Sequence, residues 1–182
     1  MEKLSKIYTD KIAPELMKEL KCSNPFEVPK IEKVVISTGI GDFKEDKKAV
    51  ESIAAELTKI TGAKPKTNLS TRAVSAFKLR IGQPVGLTAT LRGERMYDFV
   101  SKLVNVALPR IRDFRGISPD SFDNVGNFSI GVKDHAIFPE IKYEEIKENF
   151  GLEINIRIKT RSKDEAKVLL EKLGFPFKKE RN

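Results

Sequence analysis

The chain is predicted to combine helices with a β-sheet, and three segments carry that prediction. From Glu45 to Thr61, the residues Ala49, Val50, Ile53, Ala54, Leu57 and Ile60 recur at helical spacing. Glu94 to Leu108 carries Met96, Phe99, Val100, Leu103, Val104 and Ala107 as a second amphipathic stripe. Leu152 to Thr160 alternates Leu152, Ile154, Ile156 and Ile158 with Glu153, Asn155, Arg157 and Lys159, the period-two pattern of a half-buried strand.

The remaining elements follow along the chain. Lys3 to Leu20 sets Leu4, Ile7, Ile12, Leu16 and Leu20 at roughly helical intervals, and Pro14 lacks an amide donor, so the helix is expected to begin again near Pro14. Pro25 and Pro29 end that region. Ile31 to Thr38 is a β-branched run that predicts a strand, with Gly39 and Gly41 at the turn after it. Gly62 stands where the helix from Glu45 needs its C-terminal cap. Lys64 to Leu69 is expected at a sheet edge, because Pro65 has no donor for a central ladder.

Between Thr71 and Gly82, Phe77, Leu79 and Ile81 alternate with Lys78 and Arg80. An extended backbone there would pack the apolar set and turn both cations the other way. Pro84 to Arg92 predicts a strand with Val85, Leu87, Ala89 and Leu91 on one side and Thr88, Thr90 and Arg92 on the other. Pro109 closes the helix from Glu94. Pro109 to Asn127, rich in Gly, Pro, Ser, Asp and Asn and bearing Arg110, Arg112 and Arg115, is predicted as a long loop, a feature that usually serves function in a compact domain. Phe128 to Val132 resumes as a strand, and a short helix is expected around Tyr143 to Asn149. The last helix opens with Ser162 and Glu165 at capping-box spacing, runs through Val168, Leu169 and Leu170, and stops at Gly174.

At 182 residues the chain suits one domain, with extended or long loops at about 71–82 and 109–127. Its formal net charge of +8 is unevenly placed. Between Glu56 and Glu94 there is no acidic residue, yet Lys59, Lys64, Lys66, Arg72, Lys78, Arg80 and Arg92 lie there, interleaved with Thr58, Thr61, Thr67, Ser70, Thr71 and Ser75. From Lys59 through Arg115 twelve basic residues face three acidic ones, while the rest of the chain is close to neutral. Cations gathered with hydroxyl side chains are the footprint of a nucleic-acid binder. No helix-turn-helix, zinc-finger or basic-zipper pattern is present, which points to recognition by sheet and loop and favours RNA, whose deep major groove excludes side chains. Phe77 is either part of a buried alternating set or a platform on which a base stacks.

Enzyme chemistry finds little to work with. His135 is the single histidine and Cys22 the single cysteine, so neither a multi-histidine metal site nor a local Cys/His pair can be assembled. Replacing His135 with alanine is therefore expected to leave function intact. Asp120, Asp123, Glu144, Glu145 and Glu148 read as solvated carboxylates, and Gly39, Gly41 and Asp42 lack the spacing of a phosphate-binding loop. No cofactor and no metal is expected. One cysteine excludes a disulfide scaffold, and there is neither a secretory h-region nor a membrane span, so a reducing, cytoplasmic setting is expected.

Longer words then make the sequence specific. The segments NPFEVPKIEKVVISTGIGD (Asn24 to Asp42), ITGAKP (Ile60 to Pro65), FKLRIGQPVG (Phe77 to Gly86), TLRGERMYDF (Thr90 to Phe99), ALPRIRDFRGISPDSFD (Ala107 to Asp123), IFPEI (Ile137 to Ile141) and GFPF (Gly174 to Phe177) resemble the family of large-subunit ribosomal protein number five in its bacterial form. The resemblance implies an α+β fold with an antiparallel sheet and helices packed mainly on one face. It also implies a structural, non-enzymatic place in the central protuberance of the large subunit, with 5S rRNA, 23S rRNA, P-site tRNA, a small-subunit protein and other central-protuberance proteins as partners.

Carried over by position, the 5S rRNA surface includes Ser37, Ala63, Phe77 and Thr90, with Lys64 and Arg92 beside them, and the basic run and the polar strand face add Lys66 and Thr88 to the rRNA-binding set. The tRNA-contacting loop bears Arg72, Ser75, Lys78 and Arg80, and the intersubunit or RNA loop bears Arg110, Arg112 and Arg115. Relatives usually carry asparagine at Ser37, glutamine at Ala63 and glutamine at His135. Ala63 has no side-chain group to bond RNA, so phosphate contacts are expected to hold more of the affinity in this chain. A free RNA-binding regulator or chaperone would use the same surface, and sedimentation with or apart from the large subunit separates the two.

Overall fold

The structure is a computed structural model that describes residues 3–43, 46–146 and 148–178. Five strands, β1 (Lys30–Gly39), β2 (Lys66–Leu69), β3 (Pro84–Leu91), β4 (Phe128–Val132) and β5 (Leu152–Lys159), form one antiparallel sheet in the order β2-β3-β1-β5-β4. The helices are α1 (Leu4–Ile7), α2 (Ala13–Glu19), α3 (Lys47–Thr61), α4 (Gly93–Lys102) and α5 (Lys163–Lys172), and the class is α+β. The chain groups into two compact units. One comprises the N-terminal segment to Val34, Arg92–Ile130 and the C-terminal segment from Asn155; the other comprises Val35–Leu91 and Gly131–Ile154.

In the first unit, both prolines inside helical segments are approached by a widened turn. A proline in a regular α-helix lacks its N–H and crowds the carbonyl four residues earlier. Here Tyr8–Ile12 is a π-turn, with Ala13 N donating to Tyr8 O, and a regular α-helix begins again at Ala13, with Pro14 in its first turn as the sequence predicts. Leu103–Ala107 repeats the device ahead of Pro109, with Leu108 N donating to Leu103 O. The predicted helix from Glu94 is therefore α4, a π-turn and a closing 3-10 turn at Leu108–Arg110. Tyr8 and Tyr97 stack at 5.8 Å, and Tyr8 Oη donates to Pro29 O at 2.9 Å. Burial, reinforced by Tyr97, lifts the Tyr8 phenol well above its ordinary range.

The predicted loop from Pro109 to Asn127 is tied down in its second half. Ile117 and Phe122 are buried, and Ile117 pairs in parallel with Phe177. Phe122 meets Phe128 at 5.1 Å and Phe177 at 5.7 Å, and Phe128 meets Phe175 edge-on at 5.6 Å. Composition read this stretch as loop because the aromatic partners lie elsewhere in sequence. Asp123 closes a turn by accepting from Val125 N and Asn127 N, and these bonds outweigh its slight burial to hold the carboxyl below its usual range. Ser162 caps α5 by accepting from Glu165 N, while Glu165 accepts from Arg161 N, one residue earlier than in the standard capping box.

In the second unit, α3 begins at Lys47 behind Asp46, whose carboxylate accepts from Lys48 N at 2.8 Å and Ala49 N at 3.3 Å. Such a cap contributes about 1 kcal/mol. Glu45, the predicted start, lies outside the described residues. α3 ends at Gly62 with φ +67°, the left-handed cap the sequence predicts. Ala49, Ile53, Leu57 and Ile60 form its buried stripe. The helix expected around Tyr143 to Asn149 is instead one 3-10 turn, Tyr143–Glu145, between the buried anchors Ile141 and Phe150; Lys147 lies outside the described residues.

Candidate nucleic-acid interface

β2 pairs with β3 so that Lys66 lies opposite Thr88, Thr67 opposite Leu87 and Asn68 opposite Gly86. Leu87, Ala89 and Leu91 are buried, so the alternate residues of β3 face solvent: Thr88 is half-buried and Thr90 exposed. On β1, Ile36 and Thr38 are buried and Ser37 lies half-buried on the outward side. Ser37, Lys66, Thr88 and Thr90 therefore share the outward face of this unit's strands. Asn68 Nδ2 donates to Thr88 Oγ1 at 2.6 Å and completes the polar row. Sequence reasoning passed over Asn68, although its position two residues after Lys66 places it on the same side of the strand. Lys64 is exposed just before β2. At Ala63 the polar groups are backbone only and are engaged by Thr61 Oγ1, so that position offers RNA a methyl group.

The segment from Thr71 to Gly82 corrects the extended reading. It doubles back on itself: Ser70 N donates to Gln83 O, Gly82 N to Ser70 O, and Val74 and Leu79 exchange both amide bonds at 3.0 Å. A 3-10 turn at Ser75–Phe77 leads into Lys78, whose φ of +49° is left-handed. Gln83 Oε1 accepts from Arg80 N at 2.8 Å and fixes the return limb, another role that sequence did not reveal. No apolar face packs here, because the hairpin has no core beneath it. Phe77 and Ile81 are each 71% exposed, which removes the buried alternative for Phe77. Arg72, Ser75, Lys78 and Arg80 are all exposed on the same hairpin.

Among the described residues, Lys64, Lys66, Arg72, Arg80 and Arg92 form no ion pair with a carboxylate. Cations elsewhere do: Arg157 meets Glu32 at 2.8 Å, and Lys172 meets Glu15 and Glu19 at 3.1 and 3.0 Å. Arg92 is exposed immediately before α4, in the first unit.

Arg110, Arg112 and Arg115, in that same unit, are exposed. The segment is anchored just after Arg115, where Ile117 N donates to Pro176 O and Lys178 N to Ile117 O. Gly116 makes the approach possible: its φ is +92°, and a Cβ there would lie 2.9 Å from Lys178 N and 3.1 Å from Phe177 C. Both neighbours are backbone and cannot step aside. Gly116→Ala is expected to cost about 1–3 kcal/mol, from the left-handed conformation and the clash together. Thermal denaturation checks this, and an unchanged melting temperature would show that the segment yields freely.

His135 is a packing residue, a structural role that the expectation of intact function did not address. It is 0% exposed and stacks on Phe150 with ring centroids 3.9 Å apart. Its Nε2 lies 3.0 Å from Glu56 Oε2, close but off the axis of a well-aligned hydrogen bond. Among the described residues no cluster of His, Cys, Asp or Glu is arranged to hold a metal ion, and no helix is long and apolar enough to cross a membrane.

Two family models match the chain, that of ribosomal protein L5 over residues 24–80 and that of the C-terminus of the same ribosomal family over residues 84–177. The large ribosomal subunit protein uL5 of Desulfotalea psychrophila (strain LSv54 / DSM 12343) is 47% identical over 179 residues, covering 98% of this chain and all of the relative. The protein of the same description from Thermus aquaticus is 48% identical over 176 residues, 97% of each chain. That from Thermoanaerobacter sp. (strain X514) is 48% identical over 179 residues, 98% of this chain and all of the relative. With matches over nearly its whole length, the chain belongs to the ribosomal protein L5 family, the non-enzymatic uL5 proteins of the large ribosomal subunit.

Proposed function

We propose that this structural protein of the large subunit holds 5S rRNA in the central protuberance, using the outward strand face of Ser37, Lys66, Thr88 and Thr90 with Lys64, Phe77 and Arg92. The hairpin cations Arg72, Lys78 and Arg80, with Ser75, reach P-site tRNA. Arg110, Arg112 and Arg115 serve 23S rRNA or the small-subunit protein across the interface, and the setting is the cytoplasmic ribosome.

One observation carries the reading: the cations Lys64, Lys66, Arg72, Arg80 and Arg92 are exposed and, among the described residues, unpaired, in a segment that contains no carboxylate. Desolvating them against protein would be costly, whereas phosphate supplies the missing charge. Five such contacts would lower affinity by roughly a hundredfold between about 50 and 200 mM salt. Footprinting of a 5S rRNA transcript with the purified chain tests the assignment. Protection that weakens steeply with salt and is lost with Lys64→Glu/Lys66→Glu is expected. Equal protection by parent and variant would overturn it. Sedimentation free of large subunits would instead favour a regulator.

A further inference from the structure

We propose that the first unit carries a second RNA-docking point centred on Phe26, where an unpaired base stacks on the ring while Lys159 and its neighbours meet the adjoining phosphates. This rests on the reading of the protein as an RNA binder and adds a site outside its basic middle third.

Phe26 is 79% exposed, an unusual state for a phenylalanine in a unit whose Phe122, Phe128 and Phe175 are buried. Its backbone is fixed. Asn24 Oδ1 accepts from Phe26 N at 2.9 Å, Glu27 N donates to Asn24 O at 3.0 Å, and Pro25 opens the 3-10 turn Pro25–Glu27. The buried Val28 and Pro29 anchor the turn from behind. A ring presented on a rigid turn has little left to order on binding.

Beside the ring is a shallow cavity of about 190 Å³ lined by Phe26, Glu27, Lys159, Thr160 and Arg161. That is smaller than the roughly 300 Å³ at which sites for drug-sized ligands begin, so a platform suits it better than a small-molecule pocket. Lys159 is exposed and makes no ion pair among the described residues. Arg161 pairs with Glu27 yet keeps 60% of its side chain exposed. The Arg157–Glu32 pair fixes how β5 lies beside β1. Two residues further along each strand, Lys159 and Lys30 continue the same exposed side, and Lys163 is exposed at the start of α5. A protein-docking patch would need further exposed apolar neighbours. A solitary ring among cations instead matches the pairing of base stacking with phosphate attraction found in single-strand binders.

The test is fluorescence anisotropy with the full chain, using oligo(A) of about twelve nucleotides and an abasic oligomer of equal length. Both are measured in a Lys78→Glu/Arg80→Glu background so that the hairpin contributes little. Phe26→Ala is expected to weaken oligo(A) binding about tenfold and leave the abasic oligomer unchanged, with Phe26→Trp restoring affinity. Lys159→Ala is expected to weaken both oligomers and flatten the salt dependence by about one contact. An unchanged melting temperature for Phe26→Ala confirms that only the ring is lost. Equal oligo(A) affinity for Phe26→Ala and its background, or equal losses on both oligomers, overturns the proposal. So does a variant neutral toward RNA that enters large subunits poorly, since the ring would then meet a protein. If the parent chain binds neither oligo(A) nor 5S rRNA, the RNA-binding reading itself fails; if it binds 5S rRNA while Phe26→Ala is without effect, only the Phe26 site fails.

Discussion

His135→Ala is expected to destabilise the protein by about 3–5 kcal/mol, the cost of emptying a fully buried ring site and leaving a buried polar group without its neighbour. In a chain of this size that lowers the melting temperature by roughly 10 °C. Glu56 on α3 is only 8% exposed and would lose the imidazole 3.0 Å away, while Phe150 would lose the ring stacked on it. The cost therefore has an electrostatic part and a packing part, and two further variants separate them. His135→Gln keeps a donor toward Glu56 and is expected to cost less than alanine. Glu56→Gln in the His135→Ala background replaces the carboxyl left without its neighbour, so the double variant is expected to regain part of the loss, leaving the cavity and stacking terms. Denaturant unfolding of the parent, His135→Ala, Glu56→Gln and the double variant closes the cycle. A His135→Ala protein as stable as the parent would show that the pair contributes nothing.

This pair also marks where sequence ceases to inform. Glu56 stands inside a strongly periodic helical stripe and His135 in an irregular segment, and nothing local to either points to the other. The elements read well are those whose periodicity is answered by a core. Leu152, Ile154, Ile156 and Ile158 alternate and are buried, and the stripe of α3 is buried as spaced. The hairpin fails for the complementary reason. Phe77, Leu79 and Ile81 carry the same alternation, but periodicity says only which way side chains would point and not whether a surface lies beneath them. The left-handed Lys78 adds to the error, because lysine carries no sequence signal for that conformation. The cations tell a different story. A run without carboxylates needs no tertiary information to be found, and the structure leaves Lys64, Lys66, Arg72, Arg80 and Arg92 at the surface, unpaired among the described residues. Only the grouping of Ser37 with Lys66, Thr88 and Thr90 required the strand pairing.

Lys78→Glu/Arg80→Glu is expected to lower affinity for a purified tRNA roughly thirtyfold or more near 0.1 M salt, since each phosphate contact is worth about fivefold there by counterion release and reversal adds repulsion. The slope of log affinity against log salt is expected to become shallower by about 1.4 to 1.8. Stability is expected to change by less than about 0.5–1 kcal/mol, because both side chains are exposed and the hairpin is held by other groups. Arg80 enters the hairpin's bonding through its backbone N–H to Gln83 Oε1, and the Val74–Leu79 pair is backbone to backbone. Neither depends on the charges being reversed. The neutral pair Lys78→Ala/Arg80→Ala loses the two contacts without the repulsion and is expected to weaken binding by roughly twenty-five-fold, less than the reversed pair. Affinity for 5S rRNA, assigned to the strand face, is expected to fall much less. Electrophoretic mobility shifts across a salt series read both RNAs. If the reversed protein binds tRNA as tightly as the parent, the hairpin does not meet phosphate; if 5S rRNA and tRNA weaken alike, strand face and hairpin serve one continuous RNA surface instead of two ligands.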